Sequence, residues 1–318
     1  MNVLVSSVVD TKYVTELVTR FPKYTFTHME SNDVVPANIA SVEVFLRCGI
    51  PQAQQTRLIS QASQLRWIHT CSAGFDYLPL ELIFSKGLML TRSAQTNNVP
   101  IAEYVLAHIL SFSKRLPTFA AAQAQRVWQR RNNLQELVDK TVGVVGAGSI
   151  SKALAQRCRT LGMRVIATKR NYEVLSDFDE ILPLEQLRSL LAQSDFVVIA
   201  CPLTSETKGM IGANELEHMK PEAYLINVAR GPIVDTAALI DALKAKKLAG
   251  AALDVFDEEP LAQDSPLWET PNVILTPHIS YVSPHVMSRI TAEFADNLAR
   301  YAKGEPLLNQ IKNRELGY

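Results

Sequence analysis

Short apolar runs rich in Val, Ile and Leu recur along the chain and are separated by longer amphipathic stretches. In the first 95 residues, the runs that predict strands are NVLVSS, KYTFTHM, VEVFLRC, LRWIHTC and LMLTR. A second series consists of TVGVVG, MRVIAT, DFVVIAC, AYLINVA, LAGAALDV and NVILTPH. Near-continuous apolar strands separated by helices indicate parallel sheets covered on both faces, joined by right-handed crossovers. The two series therefore predict an α/β chain with two doubly wound domains.

Two longer helical segments accompany these strands. The stretch IAEYVLAHILSFSKRLPTFAAAQAQRVWQR has apolar residues at helical spacing until Pro117 interrupts it. One interpretation is a long core helix; the other is an interdomain helix that also buries surface in a homodimer, which its apolar richness favours. The stretch HVMSRITAEFADNLARYAKG follows the last predicted strand. We expect this second helix to pack back on the first domain.

A glycine-rich turn follows the apolar run TVGVV. Gly146 and Gly148 are the first two glycines of the pattern G-x-G-x-x-G, and Ser151 replaces the third. In such a loop the first glycine makes the turn, the second admits a pyrophosphate, and the third allows close helix packing. The N–H groups of Ser149 and Ile150 then face an anion from the positive end of a helix. This context favours nucleotide binding; the alternative is an ordinary tight turn.

The residues after the run MRVIAT bear on which nucleotide is bound. A loop that prefers NAD carries an Asp or Glu roughly 20 residues beyond the glycines, where it bonds the ribose 2′-hydroxyl. Here the run ends in Thr168, Lys169 and Arg170, and the first carboxylate is Glu173. A hydroxyl and two cations attract a 2′-phosphate, and an arginine can grip it in a fork. We therefore expect NADP(H) to be favoured over NAD(H), the alternative being a solvated strand end.

Three polar residues follow predicted strands of the second series. Arg230 ends AYLINVAR, Glu259 follows AALDVFDE, and His278 ends NVILTPH. Parallel-sheet enzymes bind ligands at the carboxyl ends of strands. Reduction of a 2-keto acid needs a proton donor, which suits histidine, and a cation for the carboxylate, which suits arginine. A glutamate beside the histidine favours imidazolium and fixes the ring. Taken singly, each residue could instead be a solvated loop charge.

Composition excludes several classes of partner. Lys plus Arg equals Asp plus Glu, 32 each, so the net charge gives no reason to expect nucleic acid or a membrane surface. The longest apolar runs fall short of the ~18 residues that cross a bilayer.

The four cysteines are scattered without a C-x-x-C pair, which argues against a metal site or a disulfide. The pattern favours small buried side chains in a reducing compartment. We expect a cytoplasmic protein.

Several motifs in order resemble the D-isomer-specific 2-hydroxyacid dehydrogenase family over nearly the whole chain, and its glyoxylate and hydroxypyruvate reductases in particular. They are GVVGAGSI, CPLTSETKGMI, MKPEAYLINVARG, AALDVFDEEPL and LTPHIS. The resemblance implies a Rossmann-type cofactor domain, residues 96–284, inserted into a flavodoxin-like substrate domain. Residues 1–95 form that domain with the C-terminal helix of 285–318. It also implies a homodimer.

The resemblance further implies roles for individual residues. Arg230, Glu259 and His278 are the catalytic set. The loop CSAGFD offers backbone N–H groups around Ala73 and Gly74 to the substrate carboxylate. The residues implied at the cofactor are Cys201, Pro202 and Thr207 on the adenosine and pyrophosphate side, and Val228, Ala229 and Asp254 near the nicotinamide. Asn97 falls near the substrate, although Asn98 fits the family pattern as well.

The identity of the substrate stays open at this stage. Glyoxylate, hydroxypyruvate and a phenylpyruvate-like acid all fit, and phosphoglycerate dehydrogenases are close relatives. TPH ahead of Ile279 argues against formate. The alternative to an enzyme is a nucleotide-sensing binding protein of the same fold, similar to the related corepressors, but the complete catalytic set favours the enzyme. Arg47, in RCGI, is either a second contact for a carboxylate or phosphate or, as we expect, a solvated loop arginine.

Overall fold

The computed structural model describes residues 1–131 and 133–312. The chain divides into two compact units, Met1–Thr96 with the described part of Ser283–Tyr318, and Asn97–Val282. The strands are β1 Asn2–Val5, β2 Thr25–His28, β3 Val44–Arg47, β4 Trp67–Thr70, β5 Met89–Arg92, β6 Thr141–Val145, β7 Arg164–Lys169, β8 Glu180–Pro183, β9 Phe196–Ile199, β10 Tyr224–Asn227, β11 Gly250–Leu253 and β12 Val273–Leu275.

The α-helices lie between these strands and after them. They are α1 Thr11–Arg20, α2 Gln52–Gln61, α3 Leu80–Ser85, α4 Asn98–Ser113, α5 Leu116–Ala124, α6 Ser149–Thr160, α7 Leu187–Gln193, α8 Ala213–Glu217, α9 Thr236–Lys244 and α10 Val286–Lys303. Within the described residues, no helix is both long enough and apolar enough to span a membrane.

The first unit contains a five-stranded parallel sheet in the order β2-β1-β3-β4-β5, which is the flavodoxin-type order. Successive side chains of a strand face opposite sides, so Val3 and Leu4 of β1 enter different cores. On the side of Val3, α10 covers the sheet. Phe294 of this helix stacks on Trp67 of β4, with ring centroids 5.3 Å apart.

The second unit contains a seven-stranded parallel sheet in the order β12-β11-β10-β9-β6-β7-β8. The chain starts at β6, builds outward through β7 and β8, and returns to β9 on the other side of β6. The order therefore reverses between β6 and β9, where an open α/β sheet binds its ligand. The predicted fold class, two doubly wound α/β domains, is confirmed.

Each apolar run predicted as a strand overlaps an observed strand, but some details differ. The sequence analysis missed β8, an edge strand that pairs with β7 alone. The long helical segment is broken before Pro117, at Arg115, whose φ of +52° is left-handed. Pro117 itself lies in the first turn of α5, where its missing N–H is not needed.

The expectation about disulfides was wrong. Cys48 and Cys71 form a disulfide, with their Cα atoms 5.3 Å apart. These residues directly follow β3 and β4, which are neighbours in the sheet, so the fold brings them together although 23 positions separate them in sequence. Cys158 and Cys201 are free, and Cys158 is buried in an apolar core as expected.

A buried histidine makes the stability of the first unit depend on pH. His69 is fully buried between the hydroxyls of Thr91, 2.7 Å away, and Ser93, 3.0 Å away, and burial lowers its pKa to about 3. The folded pKa lies below the unfolded value, so His69 stabilises the fold fully above about pH 6.5 and loses this contribution as the pH falls towards 3. The loss is about 1.4 kcal/mol per pH unit, or about 2 kcal/mol by pH 5.

Urea titrations at pH 7.5 and pH 5 test this expectation. The free energy of unfolding of the His69→Gln variant should fall less with acidification than that of the wild-type protein, by about 2 kcal/mol. His218→Gln is the matched control, because His218 is exposed. Equal pH dependence in the wild-type and His69→Gln proteins would show that His69 is not the group responsible.

Candidate active site

The glycine loop joins β6 to α6 at the reversal of strand order. Gly146 has a φ of +103°, and a Cβ atom there would lie 3.0 Å from the backbone of Cys201, so only glycine fits both the conformation and the space. The Gly146 N–H donates to Thr168 Oγ1 at 3.3 Å, which ties the loop to the end of β7. Gly148 is exposed and has an extended backbone conformation. It directly precedes Ser149, the first residue of α6.

Ser151, the departure from the three-glycine pattern, is accommodated within this loop. Its side chain is fully buried, and Oγ donates to the Gly146 carbonyl at 2.5 Å. The hydroxyl thus stabilises the turn from inside. A Cβ on Gly148 would meet nothing within 4 Å, so the backbone there is open to close approach. The first N–H groups of α6, including those of Ser149 and Ile150, lie at a helix end that favours anions.

The end of β7 carries the residues predicted to choose between the two nucleotides. Thr168 is buried, and its hydroxyl accepts the hydrogen bond from Gly146. Lys169 Nζ contacts Glu173 Oε2, and this contact lowers the pKa of Glu173. Arg170 Nη1 lies 3.5 Å from Glu206 Oε2. Both cations therefore lie beside exposed carboxylates on the surface.

The remaining predicted cofactor residues follow β9 and β10. Thr207 Oγ1 donates to the Pro202 carbonyl at 2.7 Å and holds the segment after β9 in a turn. Cys201, half-buried beside Gly146, has its pKa raised to about 12 by desolvation, so its thiol is protonated at neutral pH. Val228 is buried and Ala229 half-buried, directly after β10.

Two residues that the sequence analysis missed shape the segment that carries Arg230. Asn227, buried at the end of β10, donates from Nδ2 to the Arg230 carbonyl at 3.0 Å and accepts from Ala229 N–H at 3.1 Å. A Cβ on Gly231 would lie 2.0 Å from the carbonyl carbon of Phe256. Glycine therefore lets the Arg230 segment lie against the segment that leads to Glu259.

The structure brings Glu259 and His278 into direct contact. Glu259 Oε1 accepts from the Phe256 N–H at 3.0 Å, and Glu259 Oε2 lies 2.7 Å from His278 Nδ1. Both side chains keep more than a third of their surface exposed, so the pair is accessible to a ligand. Since Nδ1 faces the carboxylate, the other ring nitrogen, Nε2, is the one that can exchange a proton with a substrate.

Asp254, at the end of β11, supports the histidine loop. It is buried, and its carboxylate accepts from the N–H groups of Ile279 and Ser280, each at 2.9 Å, and from the Thr276 hydroxyl at 2.8 Å. His278 has a left-handed φ of +52°, which costs about 1–3 kcal/mol in a non-glycine residue. The hydrogen bonds to Asp254 on both sides of His278 offset this cost.

Tyr104 on α4 extends this network, and no sequence motif points to it. Its hydroxyl donates to Thr276 Oγ1, and desolvation raises the pKa of Tyr104 to about 12. The phenol therefore remains a hydrogen-bond donor across the physiological pH range. Asp254, Thr276 and Tyr104 together hold the turn that presents His278.

The predicted substrate residues lie in both units. Ala73 and Gly74, half-buried, are in the loop after β4 of the first unit. Asn97 is buried at the start of the second unit and directly precedes α4, while Asn98 is the first residue of that helix. We had expected Arg47 to be a solvated loop residue, and this expectation was wrong. It is the last residue of β3 and only 6% exposed, and its Nη2 donates to the carbonyl of Ile50 in the segment that follows β3.

The two parallel sheets and the glycine loop at the strand reversal are the arrangement of a dinucleotide-binding α/β protein. Residues 106–280 match the model of the D-isomer specific 2-hydroxyacid dehydrogenase, NAD binding domain. A glyoxylate reductase of Thermococcus gammatolerans is 34% identical over 256 residues, which are 78% of this chain and 76% of that protein.

Two further relatives extend the comparison. A D-3-phosphoglycerate dehydrogenase of Archaeoglobus fulgidus is 31% identical over 302 residues, 93% of this chain, but the chain spans about half of that longer protein, 53%. The crystal structure of a D-isomer specific 2-hydroxyacid dehydrogenase from Xanthobacter autotrophicus Py2, in complex with NADPH and MES, has a TM-score of 0.85 at 31% identity. It covers 100% of this chain and 99% of its own.

The chain belongs to the D-isomer specific 2-hydroxyacid dehydrogenase family. It is accordingly an oxidoreductase that transfers a hydride between a nicotinamide cofactor and a 2-keto or 2-hydroxy acid.

Proposed function

We propose that this protein reduces a small 2-keto acid of the glyoxylate or hydroxypyruvate type to the D-2-hydroxy acid, with NADPH as the preferred cofactor. The single observation that carries the proposal is the 2.7 Å contact of Glu259 with His278, on a segment packed against the one that bears Arg230. A proton donor, its orienting carboxylate and a cation for the substrate are the groups that this reduction requires.

The chain's own groups perform the acid–base part of the reaction. When bound, the reduced nicotinamide supplies a hydride to C2 of the keto acid. His278 donates a proton from Nε2 to the carbonyl oxygen, so that C=O becomes CH–OH. Glu259 keeps Nδ1 engaged and stabilises the charged ring before the transfer. Arg230 holds the carboxylate by paired hydrogen bonds, which fixes the orientation of C2.

The glycine loop fits the cofactor, because Gly146 makes the turn and Gly148 leaves the backbone open at a helix N-terminus. Among the described residues, no acceptor bonds the N–H groups of Ala73 and Gly74. These groups suit the substrate carboxylate. We assign Asn97 a further contact to the substrate.

Oxidation of NADPH in the presence of a panel of 2-keto acids tests the proposed function. We expect turnover with glyoxylate or hydroxypyruvate well above the rate without acid, and slower turnover with phenylpyruvate. Tight binding of the nucleotide without turnover of any acid would identify a nucleotide-sensing protein of the same fold instead.

The cofactor preference rests on Lys169 and Arg170 at the end of β7. The carboxylates beside them, Glu173 and Glu206, are 62% exposed, so both can move into water when a 2′-phosphate binds. The Xanthobacter relative holds NADPH, whereas the family model is described as NAD binding, so both nucleotides occur in the family.

We expect kcat/KM to favour NADPH over NADH at a fixed keto acid concentration. Arg170→Ala should reduce this preference by about tenfold, because a hydrogen bond to a charged group contributes about 1.5–3 kcal/mol. Arg188→Ala, which removes another surface arginine paired with a glutamate, should leave it unchanged. A wild-type ratio in favour of NADH would contradict the assignment of the two cations.

We further propose a homodimer. Several large apolar side chains are exposed after α4, and Trp128 has 89% of its surface exposed. Large apolar side chains that are exposed in number along one segment favour an interaction site. The exposed residues of this region are Leu116, Val127, Trp128, Leu134 and Val138. We also propose a cytoplasmic location, because a dehydrogenase of this type draws on the intracellular pool of nicotinamide nucleotide, although the Cys48–Cys71 disulfide is unusual for that compartment.

A further inference from the structure

We propose that Arg47 is a positioning residue that acts through Tyr77 on the Ser72–Gly74 loop and thereby sets the affinity for the substrate carboxylate. This inference rests on the proposed function, because it concerns the loop to which we assign carboxylate binding. Arg47 and Tyr77 are 30 positions apart, and the sequence analysis did not predict a contact between them.

Arg47 is buried without an acidic partner. Its guanidinium lies over the Tyr77 ring, 4.7 Å from the centroid, and Nη1 donates to the Tyr77 hydroxyl at 3.0 Å. Nη2 donates to the Ile50 carbonyl. No carboxylate among the described residues forms an ion pair with it. A buried cation without a counter-ion is costly, so we looked for a task that requires one at this position.

Arginine has only donors, and this property gives the network a direction. Because Arg47 donates to the Tyr77 oxygen, the tyrosine proton is directed away from Arg47. Ser72 Oγ donates its own proton to the Gly74 carbonyl at 2.9 Å. The lone pairs of Ser72 Oγ can therefore accept a hydrogen bond from the Tyr77 hydroxyl, which contacts Ser72 Oγ. Thr70 Oγ1 lies 3.1 Å from the Tyr77 hydroxyl and completes the network. The chain of donors thus runs from Arg47 through Tyr77 and Ser72 to the loop backbone.

The carbonyl groups of the loop are consequently fixed. Ser72 holds the Gly74 carbonyl, and Arg92 Nη1 donates to the Ala73 carbonyl at 2.9 Å. The disulfide from Cys71 anchors the start of the loop to the end of β3. With both carbonyls engaged, the peptide planes are held and the N–H groups of Ala73 and Gly74 keep one orientation. A preformed pair of donors binds a carboxylate without the cost of ordering the loop.

Arg47→Met and Tyr77→Phe test this inference in steady-state assays with glyoxylate and hydroxypyruvate. Each substitution should raise KM for both acids by about tenfold, the effect of losing one or two hydrogen bonds of the network. The value of kcat and the affinity for NADPH should change less than twofold. The double variant should be no worse than the more impaired single variant, because both substitutions break one chain of contacts. Arg57→Met, in an exposed arginine of α2, is the control.

The outcomes separate this inference from its alternatives. Wild-type KM in Tyr77→Phe, with a raised KM in Arg47→Met, would show that Arg47 acts without the tyrosine and would overturn the proposal. A 2-keto dicarboxylic acid is added as a third substrate, and a rise in KM confined to it would show direct substrate contact and would also overturn the proposal. If Arg47→Met does not fold, Tyr77→Phe alone decides. An active wild-type enzyme with unaffected variants refutes only this inference, whereas a wild-type protein that reduces no keto acid refutes the proposed function and this inference with it.

Discussion

The substitution His278→Ala is expected to lower kcat by roughly 10²–10⁴-fold, the range for loss of a general acid. KM for the keto acid should change little, because the substrate carboxylate is held elsewhere. The contact with Glu259 at 2.7 Å leaves Nε2 as the nitrogen that protonates the carbonyl oxygen. Alanine removes this donor without altering the hydrogen bonds that the N–H groups of Ile279 and Ser280 donate to Asp254.

Single-turnover and steady-state rates with NADPH are measured for the wild-type protein and for His278→Ala, and kcat is compared. His218→Ala is the control, since His218 is exposed and its Nδ1 bonds the Asn214 carbonyl four residues earlier. Nucleotide affinity should be unchanged in both variants. A kcat near the wild-type value in His278→Ala would remove the histidine from the mechanism.

The second large effect is expected for Arg230→Ala, which should lower kcat/KM by about 10²–10³-fold. Removing one partner of a buried, hydrogen-bonded charge pair costs about 2–5 kcal/mol, and the substrate carboxylate loses its anchor in the ground state and the transition state alike. KM should therefore rise, unlike in His278→Ala. Arg230→Lys should restore only part of the loss, because an ammonium group cannot grip a carboxylate in a fork.

The initial rates of Arg230→Ala and Arg230→Lys are measured over a range of glyoxylate concentrations, which gives kcat and KM for each variant. Asn227 and Gly231 shape the backbone around Arg230, so a folded Arg230→Lys variant keeps the segment in place. Full activity of Arg230→Lys would mean that the site needs only a positive charge at this position. An unchanged KM in Arg230→Ala would contradict the carboxylate assignment.

The strands were predictable because their chemistry is local. Buried parallel strands need continuous apolar runs, and each such run overlaps a strand in the structure. β8 was missed because EILP combines a charged residue, two aliphatic ones and a proline, a composition that only an edge strand tolerates. The sequence analysis placed the helix break at Pro117, two residues after its actual position at Arg115. A proline can be recognised in a sequence, whereas the left-handed backbone conformation of an arginine cannot.

The candidate site was predictable where a residue type and a strand end sufficed. The sequence analysis expected Glu259 to lie beside His278, and the two side chains are in contact in the structure. The supporting contacts depend on strand register, which a sequence does not show. Asp254 reaches the loop around His278 only because β11 and β12 are neighbours. In the same way, the pairing of β3 with β4 brings Cys48 to Cys71 and buries Arg47 beside the loop that Tyr77 holds.

Hydride transfer to C2 is the central claim, and isotopic labelling tests it most directly. The protein is incubated with hydroxypyruvate and NADPH that carries deuterium at the transferred position of the nicotinamide, and glycerate is analysed by mass spectrometry and chiral chromatography. We predict D-glycerate with one deuterium at C2, formed in step with the oxidation of NADPH and at a rate roughly 10²–10⁴-fold lower in His278→Ala. Glycerate without the label, or oxidation of NADPH without any reduced acid, would contradict the account.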